Sequence, residues 1–281
     1  MTTSTLPTKL PALFISHGAP LFAIEPGNTG PSLTRWGQGL QLLEGGLRGV
    51  VILSPHWMAR GPAVMSSPAP ETWHDFGGFP SELYKLQYPA PGQPALAADV
   101  QALLVKAGMS TQRDDARPFD HGAWVPLMHL FPKADVPVVQ IALPADYGPE
   151  QVYAMGQALR SLRAQGVLVV GSGSMTHNLS EFFGGARAAA PYVTEFSRWV
   201  EAAIERGDMA ALLDYRKQAP HAQRAHPSED HFLPLFFALG AAGWGQIAQS
   251  AETGEGTPVK AIYLSREVMY GILAMDSFAL S

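Results

Sequence analysis

Five short runs of β-branched and apolar residues constrain this chain more than any other feature: "ALFIS" (12–16), "GVVILS" (49–54), "VPVVQIAL" (136–143), "GVLVVGS" (166–172) and "VKAIYL" (259–264). Apolar runs of this kind, without the polar alternation of a half-exposed strand, belong to strands covered on both faces. Helical patterns lie between them. Leu96, Val100, Leu103 and Ala107 keep one face, as do Val152, Met155, Leu159 and Leu162, the latter behind "GPE" with Pro149 suited to a first helical position. Tyr192, Phe196, Trp199 and Ala203 repeat at the same spacing as a core-facing stripe. Strands alternating with helices predict an α/β fold, a central mostly parallel or mixed sheet covered by helices. At 281 residues, with no repeat, charge run or composition step, the chain reads as a single domain over residues 1–281.

Three of the runs end on the same residue type. "ALFIS" leads into His17, "VVILSP" into His56, and "VLVVGSGSMT" into His177. In open α/β sheets ligands bind beyond the carboxyl ends of the strands, so residues just past separate strands can meet at one point. "HPSEDHF" adds two more of the nine histidines, His226 and His231. Ser228 is suited to cap a helix whose apolar face is Phe232, Leu235, Phe236 and Leu239, with Glu229 and Asp230 in its first turn and His231 pointing inward. His121 lies in the acidic, glycine-containing turn "FDHG", a loop next to a core element, and His129 reads as structural within the apolar run that follows.

Composition removes whole classes of chemistry. Cysteine is absent, which excludes disulfides, thiolate nucleophiles and iron–sulfur clusters, so any metal must use nitrogen and oxygen ligands. A net charge of -5 with only 19 Lys+Arg provides no basic face for a phosphate backbone, and nucleic acid is not expected as a partner. No apolar run approaches the ~20 residues of a membrane span, and a soluble, cytoplasmic protein is expected.

Neutral imidazole suits zinc, iron, copper or nickel, and three nitrogen ligands with open positions form a catalytic arrangement. His17, His56 and His231 would make such a set, with His177 and His121 as nearby acid or base. Asp120, Glu229 and Asp230 are carboxylates able to orient rings through their free N–H groups. The residues alone support a metal-dependent enzyme and leave open a zinc hydrolase, a non-catalytic metal-binding protein, or a capped helix start with no metal. "GSGSMTH" lacks the G-x-S-x-G of a nucleophile elbow and the lysine of a phosphate loop.

Together "FISHGAP", "LSPHW", "HDFGGFP", "DHGAWVPL", "GSGSMTHNL" and "HPSEDHFLPL" resemble the DOPA-type members of the class III extradiol ring-cleavage dioxygenases, in order and spacing, from residue 14 to residue 235. The resemblance implies one α/β domain that opens catechol-type rings with O₂, its partners being a small aromatic substrate and O₂. It implies Fe(II) for activity, with Zn(II) in some preparations, bound by His17, His56 and His231. It makes His177 either a further ligand or the catalytic base, and places His121 by the substrate and oxygen. Trp57, Trp124, Phe76 and Phe79 are candidate ring-packing walls. The founding members of the class use two histidines and a glutamate, whereas the matching position here is His231.

Overall fold

Four of the five runs read as buried strands form the middle of one eight-stranded sheet, and the fifth forms its partly exposed edge. The computed structural model describes residues 9–43, 46–182, 188–245 and 260–281. In chain order the strands are β1 (Ala12–Ser16), β2 (Gly49–Ala59), β3 (Ala63–Met65), β4 (Gln112–Asp114), β5 (Val138–Pro144), β6 (Val167–Gly173), β7 (Ala261–Ser265), β8 (Val268–Met269), β9 (Leu273–Ala274) and β10 (Ser277–Leu280). The sheet order is β4-β3-β5-β2-β6-β1-β10-β7, and β8 and β9 form a separate ribbon. β5, β2, β6 and β1 run parallel, while β10 pairs antiparallel with β1 and β7, and β3 antiparallel with β5. The expected parallel sheet is therefore its centre. The antiparallel flanks come from short strands with little pattern of their own, such as "SFAL" at β10. The predicted strand at 259–264 is β7, shifted by two residues at its start, and Val259 lies outside the described residues.

The helices are α1 (Thr29–Gln41), α2 (Pro94–Lys106), α3 (His121–Leu130), α4 (Pro149–Leu159), α5 (Leu179–Phe182), α6 (Pro191–Arg206), α7 (Met209–Leu213), α8 (Tyr215–Gln218), α9 (Ala222–Ala225) and α10 (Leu233–Ala242). Side chains of each strand alternate between two cores. Ala12 and Phe14 face the core under α2, α4, α6 and α10, whereas Leu13 and Ile15 face the core under α1 and α3. α4 begins at Pro149 and α6 buries Tyr192, Phe196 and Ala203 as expected, with Trp199 half-buried. α2 differs by a small rotation: it buries Leu96, Ala97, Val100 and Leu104, leaving Leu103 half-buried and Ala107 exposed.

α10 corrects the predicted cap. It starts at Leu233, after Phe232, with Pro234 in its first turn and no acid there, so Ser228, Glu229 and Asp230 precede the helix. Proline needs no N–H donor at that position and its fixed φ suits it, which sets the start later than serine capping would. All ten residues of α10 are buried. Among the described residues no helix is long and apolar enough to cross a membrane.

Arg163, fully buried, ties three chain segments together: Nε donates to Leu10 O (2.5 Å), Nη1 to Ala241 O (2.8 Å) and Nη2 to Leu280 O (3.3 Å). Burial, aided by Arg160, pulls its pKa down to about 10, so it stays cationic at neutral pH. Arg163→Met leaves those carbonyls without donors and is expected to lower stability by about 3 kcal/mol, read as a drop in the urea midpoint at constant m-value.

Candidate metal centre

Each site histidine is delivered by a different device. His17 follows β1 directly, its N–H bonded to Gly173 O of β6 at 2.9 Å. His56 lies within β2, which does not stop at Ser54 as its sequence predicts. Ser54 pairs with Ala142 and Met58 with Leu143, so Pro55, His56 and Trp57 stand between two consecutive partners. Pro55 has no N–H for the ladder, and a bulge of this kind bends the strand and re-aims a side chain. His231 sits in the turn closed by Phe232 N–H on Glu229 O (2.8 Å), and Ser174 N–H holds its carbonyl at 2.8 Å. That approach requires glycine at 173, where a Cβ would lie 2.3 Å from His231 O. The Gly-Ser-Gly-Ser run therefore serves close packing of the His231 turn on β6.

The three rings meet. Nε2 of His56 lies 3.2 Å from Nε2 of His17 and 3.2 Å from Nε2 of His231. On their far edges the Nδ1 atoms are engaged. Ser172 Oγ gives its hydrogen to Gly122 O, so it accepts Nδ1–H of His17 at 3.0 Å. Asp230 Oδ2 accepts Nδ1–H of His231 at 2.5 Å, and Asp75 Oδ2 faces Nδ1 of His56 at 3.6 Å. With protons on Nδ1, three Nε2 lone pairs converge, which is the tautomer of a metal-binding imidazole. Burial, reinforced by the neighbouring imidazoles, holds His17 and His231 well below the ordinary histidine range and His56 at about 3, where Asp75 opposes the shift. Neutral rings with lone pairs turned on one point fit a cation and do not satisfy one another. His17, His56 and His231 form one group with ligand atoms within 4.8 Å, and His56, Asp75 and His121 form another.

His177 is beside this group without joining it. Its ring lies flat on His231, 3.5 Å between centroids and 7° between planes. Burial lowers its pKa to about 4, against the pull of Asp230. His121, first residue of α3, has its ring centroid 3.9 Å from that of His56 and 5.6 Å from that of His17. Its Nδ1 is 3.0 Å from Asp75 Oδ1, which also accepts its backbone N–H at 2.8 Å.

Asp75 is the residue that sequence reasoning missed. The "HDFGGFP" segment drew attention through its phenylalanines, and nothing in a loop sequence says which carboxylate will face an imidazole. Of the carboxylates proposed to orient rings, only Asp230 does so. Asp120 accepts Ser54 Oγ (2.7 Å) and Arg117 Nη2 (2.9 Å), and that same Nη2 holds His56 O at 3.2 Å. It therefore acts on the main chain of His56. Glu229 accepts Tyr215 Oη at 3.0 Å, away from the rings. Outside the cluster, His129 bonds Phe22 O at 2.9 Å, a structural role, and His226 bonds Met175 O at 2.9 Å. Phe76 stands edge-on to His121 at 5.6 Å and to Phe79 at 5.5 Å. Trp57 and Trp73 flank the Arg117 guanidinium at 4.9 Å each, and Trp124 is core, its indole N–H on Trp73 O at 3.0 Å.

This constellation can be set beside known proteins. Residues 11–264 match the family described as the catalytic LigB subunit of aromatic ring-opening dioxygenase. A protein of Beta vulgaris named 4,5-DOPA dioxygenase extradiol is 38% identical over 238 residues, 84% of this chain and 88% of the relative. One of the same name from Escherichia coli K12 is 35% identical over 241 residues, 83% of this chain and 86% of the relative. The crystal structure of an uncharacterized protein of Escherichia coli K12 is similar with a TM-score of 0.74 at 26% identity, over 97% of this chain and 100% of that one. The chain belongs to the LigB family of aromatic ring-opening dioxygenases. Within it, it is an extradiol ring-cleaving enzyme, and the family's chemistry is metal-dependent.

Two outcomes follow from the geometry. At Gly122 a Cβ would lie 2.4 Å from Ser54 Oγ and 2.8 Å from His56 Cδ2. Gly122→Ala is expected to displace the His56 ring and weaken Zn(II) binding ~10-fold or more, measured by chelator competition, with the far-ultraviolet circular dichroism unchanged. His226 is fully buried and burial holds its pKa at about 3, despite the bond to Met175 O. Between about pH 6.5 and 3 the unfolded chain binds a proton there that the folded chain refuses, so stability falls as pH drops, by ~1.4 kcal/mol per unit for this histidine. Urea titrations at pH 7, 6 and 5 are expected to show that fall, reduced by one histidine's share in His226→Gln.

Proposed function

We propose that ring cleavage occurs at one divalent metal held by His17, His56 and His231, with Fe(II) the metal of turnover and Zn(II) able to take the same nitrogens in the isolated protein. The observation that carries this reading is the convergence of three Nε2 atoms, those of His17 and His231 each 3.2 Å from that of His56, with every Nδ1 turned toward a partner behind it. Bound there, Fe(II) supplies a one-electron path between an aromatic diol and O₂, whose direct reaction spin forbids. Residues 1–281 act as one catalytic domain.

The remaining steps belong to the chain's own side chains. Among the described residues neither ring nitrogen of His177 takes a hydrogen bond, and its stacking on His231 holds the ring at the edge of the group, where it receives a phenolic proton. His121 keeps Nδ1–H on Asp75 and presents a bare Nε2, which first accepts a proton on the oxygen side of the reaction and then returns that same proton to the product. Each imidazole contributes ~10²- to 10⁴-fold as acid or base. Phe76 and Phe79 supply the apolar wall against which a ring packs. The names of the relatives from beet and Escherichia coli support a reading in which the substrate is a substituted catechol of the DOPA kind.

Anaerobic loading with Fe(II), followed by a panel of catechols and air, is expected to give oxygen uptake and a yellow ring-opened product, and Zn(II)-loaded protein neither. His177→Ala is expected to keep its metal and lose ~10²- to 10⁴-fold in kcat, whereas His56→Ala loses the metal. Fully Fe(II)-loaded protein that opens no catechol, or Zn(II)-loaded protein that hydrolyses esters at an enzymatic rate, contradicts the proposal.

A further inference from the structure

We propose that Asp75 is a positioning residue whose single carboxylate sets the tautomers of two site imidazoles, His121 and His56. Its side chain is 7% exposed and lies between the two rings. Oδ1 accepts both the backbone N–H of His121 (2.8 Å) and its Nδ1–H (3.0 Å), a two-point grip that fixes the first residue of α3 and its ring together. Oδ2 faces Nδ1 of His56 at 3.6 Å. An ionised carboxylate accepts and never donates, so a proton is favoured on Nδ1 of each ring and a lone pair is left on each Nε2. For His56 that lone pair points at Nε2 of His17 and His231, 3.2 Å away in each case. For His121 it leaves the outer nitrogen as the atom available to a reacting group. One carboxylate thus prepares a metal-binding nitrogen and a proton-handling nitrogen at once.

The same carboxylate addresses the charge of the centre. Three neutral imidazoles bring no negative charge to a divalent ion, unlike a set containing a carboxylate. Asp75 and Asp230 stand behind His56 and His231, on their Nδ1 edges, and return two negative charges one ring away from the ligand atoms. Carboxylates in that position raise ligand basicity and hold the ring in place, and their loss typically costs ~10- to 100-fold in metal affinity or activity.

The inference concerns the site read above as a ring-cleavage centre, and its test begins without metal or substrate. In metal-free, nitrogen-15-labelled wild-type protein at pH 7.5, long-range proton–nitrogen correlation is expected to show His56 and His121 protonated on Nδ1 and bare on Nε2; an Nε2–H form of His121 overturns the proposal. In Asp75→Asn the His121 pattern is expected to shift toward Nε2–H, Zn(II) affinity by chelator competition to fall ~10- to 100-fold, and kcat of Fe(II)-loaded enzyme to fall by a similar factor with KM nearly constant. Wild-type tautomers in that variant, with kcat either unchanged or falling only in step with the unfolding midpoint, also overturn it. A wild-type protein that opens no catechol yet shows both Nδ1–H signals would sink the ring-cleavage reading and support this one.

Discussion

Three nitrogen lone pairs turned on one another are a repulsive arrangement, and this protein builds it deliberately. Nε2 of His56 has Nε2 of His17 and of His231 each 3.2 Å away, and the Nδ1 hydrogens are spent on Ser172 and Asp230 or drawn toward Asp75. Left to themselves, imidazoles at this distance would rotate or share a proton. Packing on every side prevents the first, and burial disfavours the second by keeping the rings neutral. That mismatch is one a cation placed between the three nitrogens could relieve.

The constraint reaches into the backbone around it. His231 can stand over the end of β6 only because Gly173 has no Cβ, and the His56 ring can turn inward only because Gly122 leaves room beside Ser54. The irregular pairing of β2 with β5 delivers His56, and the main-chain bond from His17 N–H to Gly173 O registers β1 against β6 where the rings meet. Ser172 joins these parts, accepting from His17 and donating to Gly122. Convergence of the rings, strand register and glycine placement are therefore one problem.

Charge is handled at arm's length. The converging rings are neutral, and negative groups stand behind them, Asp75 against His56 and the neighbouring His121, Asp230 against His231. A carboxylate placed behind a ring stays bonded to it, while the nitrogens are left to face the point where the rings meet. His177 stacks on His231, outside the group of three converging nitrogens.

What the sequence determined by itself was the parallel centre of the sheet, because four apolar runs with helical patterns between them allow little else, and which histidines meet, because His17 and His56 follow strand-like runs and His231 stands at the start of an apolar helix. His129 was legible as structural from its place in an apolar helix. Tertiary structure decided the rest. The late start of α10 followed from Pro234 and from packing against β6, so the serine cap was not used. Asp75 became the partner of two imidazoles, and Asp120 that of Ser54 and Gln140, through contacts between residues well separated in the chain, with Arg117 three residues from Asp120 adding a local one. Periodicity reports which residues are buried, since burial repeats with the backbone. Which carboxylate faces which ring depends on a few ångströms of loop position, and no local pattern encodes that distance.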